Sequence, residues 1–150
     1  IKSKNLTVNE LLTIASLVEK EGAKTEDRKL IAGVFYNRLN LGMPLQSNIA
    51  ILYAQGKLGQ NISLADDAGI DTSINSPYNV YTKSGLMPGP VDSPSQDAIE
   101  ASINQTKSEN LYFVANVTDG KVYYAANQEE HDRNVAEHVN SKLTQNSSSN

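Results

Sequence analysis

The segment from Thr7 to Gly22 constrains the fold more than any other part of this chain. Val8, Leu11, Leu12, Ala15 and Val18 recur at helical spacing, which predicts an amphipathic helix with one face in a core. Thr7 followed three residues later by Glu10 forms a capping-box pattern that fixes the start. Gly22 supplies the stop. The helix therefore ends on Glu19-Lys20-Glu21, carrying two carboxylates to the edge of the apolar body. A carboxyl half sunk in apolar surroundings is disfavoured as an anion, and a general acid requires that setting. The plainer alternative is that Glu19 and Glu21 are solvated charges on either side of Lys20.

Other elements follow from similar signals. Thr25 is expected to cap a second helix running to about Asn40, with Glu26 and Asp27 in its first turn and Leu30, Ile31, Val34, Phe35 and Leu39 inward. Gly42 ends it. A short helix is expected from about Asn48 to Gln55, stopped by Gly56, and a further turn opening at Ser63 and Asp66. Residues 70–94 have no helical period but contain Pro77, Gly85, Pro88, Gly89, Pro90 and Pro94. Tyr78, Val80, Tyr81 and Leu86 give this stretch apolar anchors, so it reads as the ordered wall of a site. Ser93-Pro94 is expected to start a helix to about Asn104 with proline in the first turn. Strands are predicted over 111–117 and 122–125, joined through Thr118-Asp119-Gly120-Lys121. A closing helix from Glu129 to about Leu143 points Val135 and Val139 inward, and the polar residues 144–150 are expected to be disordered. The fold class is α+β: several helices packed on a small antiparallel sheet in a single domain spanning 1–143.

Composition removes several functional classes. With 150 residues, 39% hydrophobic and 20% charged, the chain can bury a core as a soluble domain. Its net charge of -4 offers no basic stripe, so no nucleic-acid partner is expected. It has no cysteine, hence no disulfide and no thiolate metal site. No run approaches the roughly 18 apolar residues of a membrane span. The chain begins at Ile1, so it is expected to be a domain taken from a longer parent.

Among chemical motifs, there is no Gly-rich phosphate loop and no Gly-x-Ser-x-Gly elbow, and no cofactor is called for. His131 and His138 lie seven residues apart on one expected helix, but without a third ligand they make a poor metal site, and none is expected. Gln46, Ser47, Asn48, Asn79 and Tyr81 are amides, hydroxyls and a phenol in or beside loops, the residue types that hold sugar hydroxyls and N-acetyl groups. Each taken singly can equally be a loop cap or turn former.

Taken together, these segments resemble a known family. Ala15-Ser16-Leu17-Val18-Glu19-Lys20-Glu21, Val34-Phe35-Tyr36-Asn37-Arg38-Leu39 and Met43-Pro44-Leu45-Gln46-Ser47 closely resemble the YceG/MltG family of endolytic murein transglycosylases. So do Ser76-Pro77-Tyr78-Asn79-Val80-Tyr81, Gly85-Leu86-Met87-Pro88-Gly89-Pro90, Leu111-Tyr112-Phe113-Val114-Ala115 and His131, in the same order over about residues 10–138. The resemblance places the catalytic Glu on Glu21 and sugar-binding roles on Gln46, Ser47, Asn79 and Tyr81. It implies non-hydrolytic cleavage of the N-acetylmuramic acid–N-acetylglucosamine bond of peptidoglycan, with one Glu as acid and then base, leaving 1,6-anhydro ends. It further implies a membrane-anchored parent acting at the extracytoplasmic face of a bacterial membrane, with the cell-wall synthesis machinery as a partner. Asn48-Ile49-Ala50 stands where the family often has Asp-Pro-Thr, and Met87 replaces a proline. Two other classes remain: a non-catalytic peptidoglycan-binding module, and a hydrolase using a second carboxylate from Asp66, Asp67, Asp71 or Asp92.

Overall fold

A computed structural model describes residues 6–56, 71–116 and 120–140. The chain divides into two compact units, Ile1–Lys107 and Ser108–Asn150. The first holds four described helices, α1 (Val8–Glu21), α2 (Thr25–Leu41), α3 (Asn48–Ala54) and α4 (Gln96–Ile103). The second holds an antiparallel pair, β1 (Tyr112–Ala115) and β2 (Val122–Ala125), followed by α5 (Gln128–Val135), which passes into a π-helical turn at Ala136–Asn140. The class is α+β, as the residue patterns imply.

In the first unit α1 is the central element, packed by α2, α4 and α3. The Thr7 hydroxyl accepts from the Glu10 N–H and the Glu10 carboxylate accepts from the Thr7 N–H, so both halves of the capping box form. The expected single apolar face is too narrow, however. Thr13, Ile14, Ala15, Ser16, Leu17 and Val18 are all buried, while Val8 is 60% exposed. A helix enclosed on every side must satisfy its polar groups internally. Thr13 donates to the Asn9 carbonyl and Ser16 to the Thr13 carbonyl, and Ser16 Oγ also accepts from the Val91 N–H at 3.1 Å. That last bond, with Asn9 donating to the Pro88 carbonyl, lays the 71–95 segment along α1. No helix or strand occurs in 71–95.

Gly22 ends α1 as expected, and two other helix boundaries, the starts of α2 and α4, differ from expectation. Gly22 caps α1 in extended geometry (φ −123°) rather than in the left-handed region. It is needed for its missing side chain, since a Cβ there would lie 3.1 Å from both Arg28 Cγ and Ile31 Cδ1. Lys24, not Thr25, is the N-cap of α2 and makes no side-chain cap, because the Thr25 hydroxyl donates to Asp97 on α4 instead. Helix α4 is capped by Ser95, whose Oγ accepts from the Ala98 N–H, so Pro94 lies outside the helix. The left-handed C-cap at Gly42 (φ 69°) forms as expected, but Leu30 and Leu39 are only half-buried, and the inward face of α2 includes Arg38.

In the second unit, Tyr112 pairs with Ala125, Phe113 with Tyr124, Val114 with Tyr123 and Ala115 with Val122. Asn116 N–H donates to the Lys121 carbonyl and Gly120 (φ 73°) N–H back to the Asn116 carbonyl, which closes the hairpin. Helix α5, capped by Asn127, packs on both strands. Val135 is half-buried rather than fully inward. The expected turn at Ser63 and Asp66, the side chain of Val139, the helix end near Leu143 and the tail 144–150 lie outside the described residues.

Candidate active site

Glu21 is the last residue of α1, and Glu19 sits about 200° around the same helix at 3.6 residues per turn. The two carboxylates therefore face different neighbours. Glu19 Oε2 accepts from the Ser95 hydroxyl at 2.6 Å and the Ser95 N–H at 3.3 Å, and pairs with Arg28 at 3.4 Å. The Ser95 hydroxyl, with help from Arg28, holds its pKa below the ordinary carboxylate value, against a smaller opposing effect of burial. Arg28 also donates to Asp97 at 2.7 Å and to the Gly22 carbonyl at 2.9 Å. Glu19 is thus an ionised member of a network that ties α1 to α2 and α4.

Half-buried Glu21 faces the 43–48 segment, where Ser47 Oγ donates to its Oε1 at 3.1 Å. Ser47 is 4% exposed, so this hydroxyl bears on the carboxylate from the protein side. The segment is held by Arg38, which is itself 6% exposed and donates to the carbonyls of Pro44 (2.8 Å) and Leu45 (3.3 Å). A charge this deeply buried must find acceptors. Gln46 has a left-handed backbone (φ 56°), the one such non-glycine among the described residues. Its N–H donates to the Val80 carbonyl at 3.0 Å, and its side chain is exposed between the buried Leu45 and Ser47. A long side chain in that region is strained and persists only where its surroundings fix it.

Asn79 and Tyr81 occupy the facing segment. Asn79 is 1% exposed, and its Nδ2 donates to the Thr72 and Ile74 carbonyls. Its Oδ1 accepts from the N–H groups of Tyr81 and Thr82. All four of its hydrogen-bonding positions are spent inside the loop. These bonds hold the turn that carries Tyr81. Tyr81 is half-buried, and its hydroxyl donates to Asn48 Oδ1 at the start of α3. An Asn side chain accepts that hydrogen bond without the negative charge an Asp would bring.

Among the other expected carboxylates, Asp71 is exposed and caps its own turn through Ser73, which lowers its pKa. Both carboxylate oxygens of Asp92 are enclosed without a hydrogen-bond partner. Burial, reinforced by Glu19 and opposed by Lys20, raises its pKa. Asp66 and Asp67 lie outside the described residues. His131 stacks on Tyr112 (centroids 5.0 Å) and His138 on Tyr123 (3.7 Å). No group of three or more metal-ligating side chains stands together among the described residues. Arg38 has no sequence signal of its place here, since a buried arginine on a helix face gives no local sign of the loop it holds.

The site therefore defines a class: a helical core that presents one hydroxyl-supported carboxylate beside a polar, aromatic loop wall. Residues 1–137 match the model of the YceG-like family, and the chain belongs to that family. It is 88% identical over 143 residues to the endolytic murein transglycosylase of Streptococcus pneumoniae serotype 2 (strain D39 / NCTC 7466), covering 95% of this chain and 26% of that protein. It is 38% identical over 142 residues to the protein of the same name from Bacillus subtilis (strain 168), covering 95% of this chain and 38% of that one. The crystal structure of a yceG-like protein from Listeria monocytogenes superposes with a TM-score of 0.76 at 39% identity, over 88% of this chain and 41% of the other. This chain thus spans between about a quarter and two-fifths of the length of these relatives. Among the described residues no helix is long and apolar enough to cross a membrane.

Proposed function

We propose that residues 1–143 form the catalytic region of a lytic transglycosylase that cuts within peptidoglycan glycan strands. The observation that carries this reading is the Ser47–Glu21 hydrogen bond. It joins two segments that are 26 residues apart in sequence and to which the family resemblance assigns the catalytic Glu and a sugar-binding residue. The names of the relatives support the substrate and the reaction.

In this mechanism protonated Glu21 gives its proton to the glycosidic oxygen between N-acetylmuramic acid and N-acetylglucosamine as the bond to the anomeric carbon breaks. The muramyl 6-oxygen closes on that carbon, and its proton passes to the Glu21 carboxylate. The acid is regenerated, no water is consumed, and a 1,6-anhydro end is left. An internal hydroxyl can act at an effective molarity of about 10⁵–10⁸ M, which favours closure over attack by water. Ser47 steadies the carboxylate, while Gln46 and Tyr81 orient the sugar and Asn79 holds Tyr81 in place. The parent acts outside the cytoplasmic membrane, where the wall is assembled, alongside the synthesis machinery.

The test is digestion of purified peptidoglycan by this chain and by Glu21→Gln, followed by mass spectrometry. Anhydromuramyl ends from the parent sequence alone are expected, with turnover about 10²–10⁴-fold lower in the variant. Reducing ends would make the protein a hydrolase and direct attention to the aspartates. Strand binding unchanged by the substitution, with no cleavage by either protein, would make it a binding module.

A further inference from the structure

The Ser47 hydroxyl has two uses open to it, and it takes the one its local sequence does not favour. Ser47 is the N-cap residue of α3, with the extended backbone of that position (φ −89°, ψ 123°), yet its side chain makes no capping bond. A serine there ordinarily accepts from an N–H of the first helical turn, here Ile49 or Ala50. Thr7, Ser95 and Asn127 do this at the starts of α1, α4 and α5. Ser47 Oγ donates instead to Glu21 Oε1 at 3.1 Å. The residues just before it are pinned. Arg38 Nη1 donates to the carbonyls of Pro44 and Leu45 and lies 3.4 Å from Gln46 Oε1, while the Arg38 carbonyl accepts from the Met43 N–H at 2.9 Å. Gln46 then takes its left-handed backbone, immediately ahead of Ser47.

We propose that Arg38 is a positioning residue of the site: its grip on residues 43–46 keeps Gln46 left-handed, and that turn aims the Ser47 hydroxyl at Glu21 and away from α3. The catalytic meaning of this rests on the transglycosylase reading, to which it adds what sets the serine beside the carboxylate. A buried guanidinium costs solvation that an apolar side chain in its place would not, so its use here lies in direction rather than in stability. Several donors in one planar fork fix successive carbonyls at once, which a lysine ammonium does less rigidly. A side chain at φ 56° is strained and stays there only while its surroundings hold it. Loosening the grip lets Gln46 return to ordinary backbone, and Ser47 then falls back to the local use, as the cap of α3. Arg38 touches no substrate; it decides between the two partners of Ser47.

The experiment reads two NMR signals in the full chain: titration of the Glu21 carboxylate, and hydrogen exchange at the Ile49 and Ala50 N–H groups. Thermal melting sets a temperature at which each variant is folded. Arg38→Lys keeps the charge and loses the fork. It should move the Glu21 titration upward, as Ser47→Ala does, because the ionised form loses a donor. Exchange at Ile49 or Ala50 should slow about fivefold in Arg38→Lys as Ser47 becomes a cap, and adding Ser47→Ala should abolish that slowing. Glu21→Ala leaves the grip intact, so there the same exchange should stay within about twofold of the parent. Faster exchange throughout α3 in folded Arg38→Lys overturns the proposal and makes Arg38 a packing residue. An unmoved Glu21 titration in that variant overturns it too. Slowed exchange in Glu21→Ala does the same, even where Arg38→Lys fails to fold, since the carboxylate and not the arginine would then be holding Ser47. These signals need no turnover. All of them together with no anhydro ends from the parent would remove the transglycosylase reading alone, whereas anhydro ends without them would remove the positioning role alone.

Discussion

Glu19 and Glu21 are two residues apart at one helix end, where the helix dipole is unfavourable to both, yet they serve opposite ends. Glu19 is enclosed by Ser95 and Arg28, with Asp97 completing the ionic group, and its charge is part of what joins three helices. Glu21 faces the 43–48 loop and accepts from the Ser47 hydroxyl. Neutralising Glu19 removes a structural anion, whereas the role proposed for Glu21 is acid–base work. The contrast shows that residue type and position along a helix do not assign a role. The side of the helix does.

The sharpest way to break this contrast is to remove each charge in turn. Against the loss of turnover expected for Glu21→Gln with an unchanged melting temperature, Glu19→Gln should keep the turnover of the folded protein and lower its melting temperature. Parallel rate and thermal-melting measurements check it, and a catalytic collapse in folded Glu19→Gln would erase the distinction. Next in size is Ser47→Ala. Losing the hydroxyl that supports Glu21 should cost about tenfold in turnover, with strand affinity kept and the pH–rate profile displaced. A change in affinity alone would move Ser47 to a sugar-contacting role.

The smallest effect is on stability and carries a pH signature. Ser95→Ala removes the α4 cap and the Glu19 hydroxyl donor together, and should destabilise the fold by about 1 kcal/mol near neutrality. Glu19 has a folded-state pKa below its unfolded value, so its stabilisation is present above the unfolded value and fades as pH falls through the folded one. The gap between Ser95→Ala and the parent should therefore narrow on acidification towards the capping contribution alone, as read from denaturant melts at a series of pH values. Asp92 runs the other way. Its raised pKa adds stability below the unfolded value, and that contribution is lost as pH rises through the folded one.

Signals contained within a few residues were legible in the chain. Thr7 with Glu10, and Gly42 in the left-handed region, need no knowledge of the rest of the fold. Misreadings arose where a distant partner claimed the side chain. Thr25 looks like a cap until Asp97, 72 residues away, takes its hydroxyl. Gly22 stops the helix as its residue type suggests, but the close approach of Arg28 and Ile31 is what forbids a side chain there. At the site, the resemblance brought Glu21, Gln46, Ser47, Asn79 and Tyr81 forward as a set. Only three-dimensional placement separates Ser47, aimed at the carboxylate, from Asn79, consumed by its own loop. Arg38 and Asp92 were opaque because burial of a charge is decided by what packs over it.

The histidine–tyrosine stacks of the hairpin unit have an optical consequence. The chain contains seven tyrosines and no tryptophan, so its ultraviolet emission is phenolic light alone. Two of those emitters, Tyr112 and Tyr123, lie against imidazole rings. Emission from these two phenols therefore reports whether the segment after β2 stays seated on the strands, with no added dye.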